Sequence, residues 1–227
     1  MSRYQDIKQQ VVAAARALAD KGIFKATEGN VSFRVPGEST FAVTASSIDY
    51  YKMTADDICI LDIASLKLID GTARPSIESG MHAAVYQERS DVHVVLHTHQ
   101  VYASTLALID KPIPALYDEQ VRHLGRGVDI ISYAPSGTSF LSKKVRNKIR
   151  NGNNAYILQN HGVIVLGGNL ERAMHNIELL EKCALTYLLA LCTEQQVTKV
   201  PLVVREIAFS KLRQDERRFA LHGAQHV

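Results

Sequence analysis

This 227-residue chain has few cysteines and no long apolar run. It has only three cysteines and no Cys-x-x-Cys pair, so neither a disulfide scaffold nor a thiolate metal site is predicted. No run approaches the ~18 apolar residues that span a membrane, and the first residues carry no apolar signal core. We therefore expect a cytoplasmic protein with no membrane partner, in which Cys59, Cys183 and Cys192 are small core residues.

An excess of charge of one sign is also missing. The formal net charge is +3, and no basic block is interleaved with aromatic residues, so no nucleic-acid partner is expected. The most basic stretch, residues 143–150, has the spacing of an amphipathic helix with a solvated face. No repeat, low-complexity tract or linker divides the chain, which predicts one domain over residues 1–227.

The spacing of apolar residues predicts a mixed order of helices and strands. The predicted helices cover about residues 5–21, 79–87, 102–108, 142–150 and 170–192, and the predicted strands 31–35, 41–44, 58–61, 92–99, 130–133, 155–159 and 163–166. Neighbouring strands resemble hairpins, which favours one mostly antiparallel central sheet flanked by helices. Residues 203–213 are expected to be helical, and 214–227 to be mobile or ordered only by a neighbouring subunit.

Histidines follow two of the strand-like runs. His97 and His99 end the first run, and residues two apart in an extended chain point to the same face of a sheet. His161 lies between two apolar runs, where a chain reversal would place it at a strand end as well. A histidine at a strand end is more often a hydrogen-bonded structural residue, but three imidazoles can hold a divalent ion and leave a position open.

Four short segments carry a resemblance to a known family. They are Glu28-Gly29-Asn30-Val31-Ser32, Pro75-Ser76-Ile77-Glu78, His97-Thr98-His99 and Asn160-His161-Gly162. In this order they resemble the class II aldolase/adducin family, which includes fuculose-phosphate and rhamnulose-phosphate aldolases and ribulose-phosphate 4-epimerase. The resemblance extends from about residue 5 to residue 192.

The resemblance implies a three-layer α/β/α fold and a homotetramer with active sites between subunits. It implies a zinc ion on His97, His99 and His161, although Mn²⁺, Co²⁺ or Fe²⁺ also suits such ligands. The position of the family's acidic residue is Glu78, which would move protons beside a metal-stabilised enediolate. Without the resemblance, Glu78 would be an ordinary glutamate in a first helical turn. His82, one helical turn later, is better explained by support or packing than as a fourth ligand.

The resemblance also implies a site for the substrate's phosphate. The matching positions are Thr27, Asn30, Ser46 and Ser76, although ordinary turn chemistry would also explain Thr27 and Ser46. Two departures are visible here. Ser47 stands where the family has a turn glycine, and Ile77 replaces the second of two paired serines.

A further departure concerns the tyrosines of the fuculose-phosphate enzymes. Tyr117 or Asp118 stands at the first tyrosine position, and no tyrosine follows Tyr187 to serve as the second. An aspartate at that position would suit acid–base chemistry like that of the epimerase or of decarboxylating relatives. A helix N-terminus with favourable charge explains Asp118 and Glu119 equally well.

The functional hypothesis favoured by these residues is a metal-dependent lyase that cleaves a carbon–carbon bond in a small ketose phosphate. Epimerisation, dehydration or decarboxylation by a related enzyme is the first alternative. A non-catalytic module like the adducin head is disfavoured because the three histidines and Glu78 are all retained. A non-haem iron oxygenase stays open, since imidazole also binds iron.

Overall fold

Most of the strands are buried on both faces, which makes them suited to the middle layer of a fold. The computed structural model describes residues 3–222. Its helices are α1 (Gln5–Asp20), α2 (Ser79–Glu88), α3 (Val101–Leu108), α4 (Asp118–His123), α5 (Ser139–Lys148), α6 (Leu170–Cys192) and α7 (Leu202–His222). Its strands are β1 (Asn30–Arg34), β2 (Thr40–Thr44), β3 (Ile58–Asp62), β4 (Leu68–Asp70), β5 (Val94–Thr98), β6 (Asp129–Ile131), β7 (Ala155–Leu158) and β8 (Gly162–Gly167).

The strands form one eight-stranded sheet in the order β4-β3-β2-β1-β5-β8-β7-β6. Among the described residues, the pair β6–β7 is parallel and the other neighbouring pairs are antiparallel. The predicted mostly antiparallel sheet with flanking helices is therefore confirmed. No helix within residues 3–222 combines the length and the apolar character needed to cross a membrane.

Alternate residues of the central strand β5 face different helical layers. Val94 and Leu96 of β5 pack in the cluster that includes α1, α3 and α6, whereas Val95 packs in the cluster that includes α2 and α5. His97 has the parity of Val95 and so faces the α2 side. The two-residue period of a strand thus decides which helix the histidine meets.

One end of the sheet collects the sequence motifs. Asn30 at the start of β1 lies opposite His97 at the end of β5. Thr98 at the end of β5 lies opposite Val163 near the start of β8. Since antiparallel strands begin and end alternately at one edge, the loops around these residues meet at the same place.

The structure differs from the sequence expectations in three places. Strand β4 was not predicted, because its three residues form a largely exposed edge without an apolar alternation. Helix α7 continues to His222 although 214–227 was expected to be mobile; residues 223–227 lie outside the described residues. Cys192 is exposed rather than a core residue, because it ends α6, whereas Cys59 and Cys183 are buried as expected.

A buried ionic network attaches α7 to the sheet. Arg89 at the end of α2 is 5% exposed and makes two 2.8 Å hydrogen bonds to the carboxylate of Asp91. Arg213 of α7 also contacts Asp91, at 2.8 Å, and Glu216 lies 3.6 Å from Arg89. Burial alone would raise the pKa of Asp91, but Arg89 and Arg213 outweigh it and hold that pKa well below its usual range.

Removal of Arg89 is expected to cause a large loss of stability. Arg89→Ala should lower the free energy of unfolding by about 3–5 kcal/mol, since it leaves the buried Glu216 and the partly buried Asp91 with an incomplete set of partners. Arg150→Ala is the matched control, because Arg150 pairs with Glu88 with its own side chain 59% exposed. Arg150→Ala should lower the free energy of unfolding by less than about 1 kcal/mol. Urea unfolding at one protein concentration measures both, and equal losses would contradict the role given to the network.

Candidate metal centre and active site

Three histidine side chains converge at the end of the sheet that carries the motifs. One ring nitrogen from each of His97, His99 and His161 lies within 4.8 Å of the others. The Nε2 atoms of His97 and His99 are 3.2 Å apart. Among the side chains that the structure describes, those of residues 3–218, no other group of three histidine, cysteine or acidic residues is arranged in this way. The predicted grouping of these three histidines is thus present in the structure.

The backbone explains how each histidine reaches this point. His97 is fully buried in β5, and its Nδ1 lies 2.8 Å from the carbonyl oxygen of Val163 on β8. Because a carbonyl only accepts, Nδ1 carries a proton, and Nε2 is the nitrogen that faces the cluster and can offer its lone pair to a metal ion. His161 follows Asn160, which has a φ of 55°, and its N–H bonds to the carbonyl of Leu158. This is the predicted chain reversal between β7 and β8.

The residue after His161 must be a glycine for steric reasons. A Cβ atom at Gly162 would lie 2.4 Å from the carbonyl oxygen of Thr98 and 2.6 Å from a ring carbon of His99. Strands β5 and β8 therefore approach each other closely beneath the cluster. The Asn-His-Gly motif thus combines a left-handed turn residue, the cluster histidine and a position without a side chain.

Glu78 lies directly against the histidines. It occupies the N-cap position of α2, where its side chain makes no capping hydrogen bond. It is buried, with its Oε2 at 3.1 Å from His97 Nε2 and its Oε1 at 3.1 Å from His161 Nε2. Burial would raise the pKa of Glu78, but the hydrogen bonds from His161 and His97 outweigh it and hold that pKa well below its usual range. The structure therefore places the predicted acidic residue beside the predicted ligands.

A buried chain of hydrogen bonds orients Glu78. Asn30 Nδ2 donates to Glu78 Oε2 at 2.8 Å, so its Oδ1 must face His82 Nε2, which is the donor in that contact. His82 Nδ1 then accepts from Ser32, 2.7 Å away, and Ser32 in turn contacts Tyr86 at 2.8 Å. Burial lowers the pKa of His82 to about 3, which keeps it neutral and suited to these roles. His82 is thus a support for Asn30, and it lies outside the histidine cluster.

The phosphate candidates lie at the same end of the sheet. Ser76 is buried, and its Oγ accepts from the N–H of Glu78 at 3.3 Å, while Ser46 donates to the carbonyl of Pro75 at 2.9 Å. Thr27 is exposed in the loop that precedes β1. Asn30 is also here, with its amide engaged by Glu78 and His82.

The two departures from the family pattern are accommodated locally. Ser47 has a φ of 61°, so it adopts the left-handed conformation that a turn glycine would take. Ile77 points an apolar side chain toward solvent, 57% exposed, directly beside Glu78. The turn is therefore preserved in Ser47, whereas the hydroxyl lost at Ile77 is not replaced at that position.

Tyr117 and Asp118 are not brought to the histidines within one chain. They begin the short helix α4, and the carbonyls of His123 and Leu124 at its other end bond to Asn154. Asn154 precedes β7 at the end of the sheet opposite the cluster. The first turn of α4 does carry two acidic residues, as the simpler interpretation of Asp118 and Glu119 expects.

Ser136 also belongs to the site, although it was not predicted from the sequence. Its Oγ donates to Glu78 Oε1 at 2.6 Å and lies 3.3 Å from His161 Nε2. The residue belongs to the loop between β6 and α5, far from the other motifs along the chain. A serine in a Pro-Ser-Gly turn just after a strand is the only local signal of its position.

The donors present fit a divalent metal ion. Three imidazole nitrogens with an adjacent carboxylate form a set that zinc and other transition metals accept. Burial, together with the neighbouring His97 and His161, lowers the pKa of His99 to about 4, so this side chain is neutral and ready to ligate. The bond from His97 to Val163 supplies the outer partner that fixes a ligand's tautomer.

Comparison with known proteins places the chain in a family. Residues 9–188 match the family model described as "Class II Aldolase and Adducin N-terminal domain". The chain belongs to the class II aldolase/adducin family. The sequence-based assignment is thereby confirmed, and the prediction of an aldolase-type enzyme is confirmed at the level of the family.

Relatives of this class II aldolase family member carry the names of sugar-phosphate aldolases. The 5-deoxy-D-ribulose 1-phosphate aldolase of Bacillus thuringiensis is 30% identical over 183 residues, which covers 81% of this chain and 84% of that protein. The L-fuculose phosphate aldolase of Escherichia coli O6:H1 is 32% identical over 185 residues, covering 80% of this chain and 84% of that protein.

Solved structures give the same result for the fold. An L-fuculose 1-phosphate aldolase superimposes with a TM-score of 0.85 at 30% identity, covering 94% of this chain and 98% of that one. The sugar-phosphate aldolase of Thermotoga maritima superimposes with a TM-score of 0.72 at 20% identity, covering 86% and 99%, which speaks for the fold alone. The predicted class II aldolase-like architecture is confirmed.

Proposed function

We propose that this protein is a metal-dependent aldolase that cleaves a small ketose phosphate into two smaller carbonyl compounds. The observation that carries the proposal is the carboxylate of Glu78 within 3.1 Å of two of three converging histidines. The names of the relatives support a sugar phosphate as the substrate class. Zinc is the metal we propose, held by His97, His99 and His161.

The chemistry divides between the metal and the protein's own side chains. A bound divalent ion supplies Lewis-acid polarisation of the substrate's carbonyl and adjacent hydroxyl oxygens. Glu78 carries the proton for the carbon that becomes electron-rich when the carbon–carbon bond breaks. Asn30 holds Glu78 Oε2 at 2.8 Å, which aligns the carboxyl group for that transfer.

The phosphate end of the substrate is assigned to the loops beside Glu78. Thr27, Ser46 and Ser76 supply hydroxyls, and the surrounding turns supply backbone N–H groups, which suit a phosphate. Asn30 lies at the same end of the sheet, although its side chain also donates to Glu78. The exposed Ile77 borders this region and gives it a partly apolar wall.

We assign Tyr117 and Asp118 to the active site of a neighbouring subunit in a homotetramer. They lie on α4, and the C-terminal end of this helix is bonded at the end of the sheet away from the cluster of its own chain, which favours this arrangement. Exposed apolar side chains on α3 and on the first turns of α7 support contacts between subunits: Val101, Leu108, Leu202, Val203 and Ile207.

The proposed function is tested by measuring dihydroxyacetone phosphate released from a panel of ketose 1-phosphates. Zinc or manganese is added to one series, and a chelator to the control series. Release that the chelator abolishes and added metal restores is the expected result. The same assay on Asp118→Asn and Tyr117→Phe tests whether these residues take part. Substitution of a group that takes part in proton transfer should lower turnover about 100-fold or more.

A second candidate function is epimerisation, dehydration or decarboxylation. It is favoured by an aspartate, Asp118, at the family's tyrosine position and by Ile77 in place of a serine. No release from any ketose phosphate, by protein shown to contain metal, would overturn the aldolase proposal. The second candidate would then be tested with hydroxy-acid and pentulose phosphate substrates.

A further inference from the structure

Each carboxylate oxygen of Glu78 has two contacts of different kinds. Oε2 is 2.8 Å from Asn30 Nδ2 and 3.1 Å from His97 Nε2. Oε1 is 2.6 Å from Ser136 Oγ and 3.1 Å from His161 Nε2. Thus each oxygen is held by one histidine and by one side chain that is not part of the cluster.

The two histidine contacts cannot serve as hydrogen bonds once these nitrogens hold a metal ion, because their lone pairs are then used for it and they carry no proton. Asn30 and Ser136 are then the donors left to Glu78 among its observed partners, one on each oxygen. A carboxylate held at both oxygens keeps the orientation of its plane, whereas one held at a single oxygen can rotate.

The two donors differ in how they are supported. Asn30 is fixed from behind by His82, in a buried chain of hydrogen bonds. Ser136 is exposed, and its hydroxyl contacts only Glu78 and His161 among the hydrogen bonds described for it. The loop also packs against Ile77 through its backbone, independently of the Ser136 hydroxyl. The approach is close, because a Cβ atom at Gly137 would lie 3.2 Å from the carbonyl oxygen of Ile77. Loss of the Ser136 hydroxyl should therefore leave the loop in place.

We propose that Ser136 is a positioning residue for the reaction: it acts through Glu78 by holding the carboxylate oxygen that Asn30 does not reach. This inference rests on the proposed function in so far as Glu78 moves the proton. It assigns a part of the active site to the loop between β6 and α5, outside the four motifs.

Kinetic measurements test the proposal on the metal-loaded enzyme. Ser136→Ala should lower kcat about 10- to 100-fold, the effect of losing one hydrogen bond to a charged group. KM should change by less than about threefold, because no substrate contact is removed. Metal content should stay unchanged. Ser136→Thr, which keeps a hydroxyl, should restore most of kcat. Ser139→Ala, an exposed serine three residues away, is the matched control and should leave kcat unchanged.

A double substitution shows whether Ser136 acts through Glu78. In a Glu78→Gln background, Ser136→Ala should lower kcat by less than about twofold, since residues that act as a unit are not additive. A full additional loss would overturn the proposal. So would an unchanged kcat in the single variant, or a loss that Ser136→Thr does not repair.

A structural readout separates this inference from the aldolase assignment. Crystal structures of the zinc-loaded enzyme and its Ser136→Ala variant should show the three histidines unchanged. The Glu78 carboxylate should be rotated, or present in more than one orientation, only in the variant. An identical carboxylate in both would refute the positioning role, even if the enzyme cleaves no ketose phosphate. If the wild type cleaves no ketose phosphate but the carboxylate is displaced in the variant, the aldolase function alone is refuted.

Discussion

Replacement of His97 by alanine is expected to remove the bound metal and the activity together. His97 is the fully buried member of the cluster, and its ring is held by the carbonyl of Val163 at 2.8 Å. The remaining two histidines offer an incomplete set of ligands. The loss in kcat/KM should exceed the roughly 10- to 100-fold that removal of an outer partner of a metal ligand costs; we expect at least ~1,000-fold.

The measurement pairs metal content with turnover for the same preparation. His93→Ala is the control, since His93 lies four residues earlier, next to the opposite end of β5, and should keep both metal and activity. Addition of excess zinc should not restore the His97 variant. A variant that is active and free of metal would refute the assignment of these histidines.

Glu78→Gln is expected to separate the two properties, so that the metal is kept and most of the turnover is lost. The amide has the shape of the carboxyl group and can still accept from Asn30, but it cannot take up and release a proton at neutral pH. A loss in kcat of about 10²- to 10⁴-fold is expected for removal of a general acid–base group. Metal content should match that of the wild type.

The same substitution elsewhere on α2 provides the comparison. Glu88 ends that helix and pairs with Arg150 at the surface, so Glu88→Gln should leave turnover unchanged. Loss of metal in the Glu78 variant would mean that this carboxylate is chiefly a ligand. Unchanged turnover would assign the proton transfer to another group, of which Asp118 is the first to examine.

Local sequence pattern was enough to predict much of the site, because the pattern is periodic. His97 and His99 lie two apart at the end of an apolar run, and the two-residue period of a strand puts both on one side. The position of His161 at a strand end was predicted from two apolar runs separated by a turn. Asn160 does adopt the left-handed conformation of that turn. Glu78 was predicted through the resemblance to the family, since nothing local distinguishes it from other glutamates in a first helical turn.

The C-terminal segment shows why local pattern is not sufficient. Residues from 214 onward are polar, which suggested a mobile end, yet α7 extends to His222. Its apolar residues Phe209 and Leu212 pack with Ala115 and Val121 near α4, and Glu216 joins the buried network of Arg89. Helix α7 is ordered by partners about 90–130 residues earlier in the chain, which a local composition does not reveal.

The sequence by itself determined the family, the mostly antiparallel sheet and the three histidines with Glu78. Only the tertiary structure decided how Glu78 is held, because its two other donors come from distant segments: Asn30 is 48 positions away and Ser136 is 58 positions away. It also decided that Tyr117 and Asp118 do not reach the histidines of their own chain. Periodicity reports which face of an element is buried, whereas contacts between segments depend on how the sheet and helices pack, which no local pattern encodes.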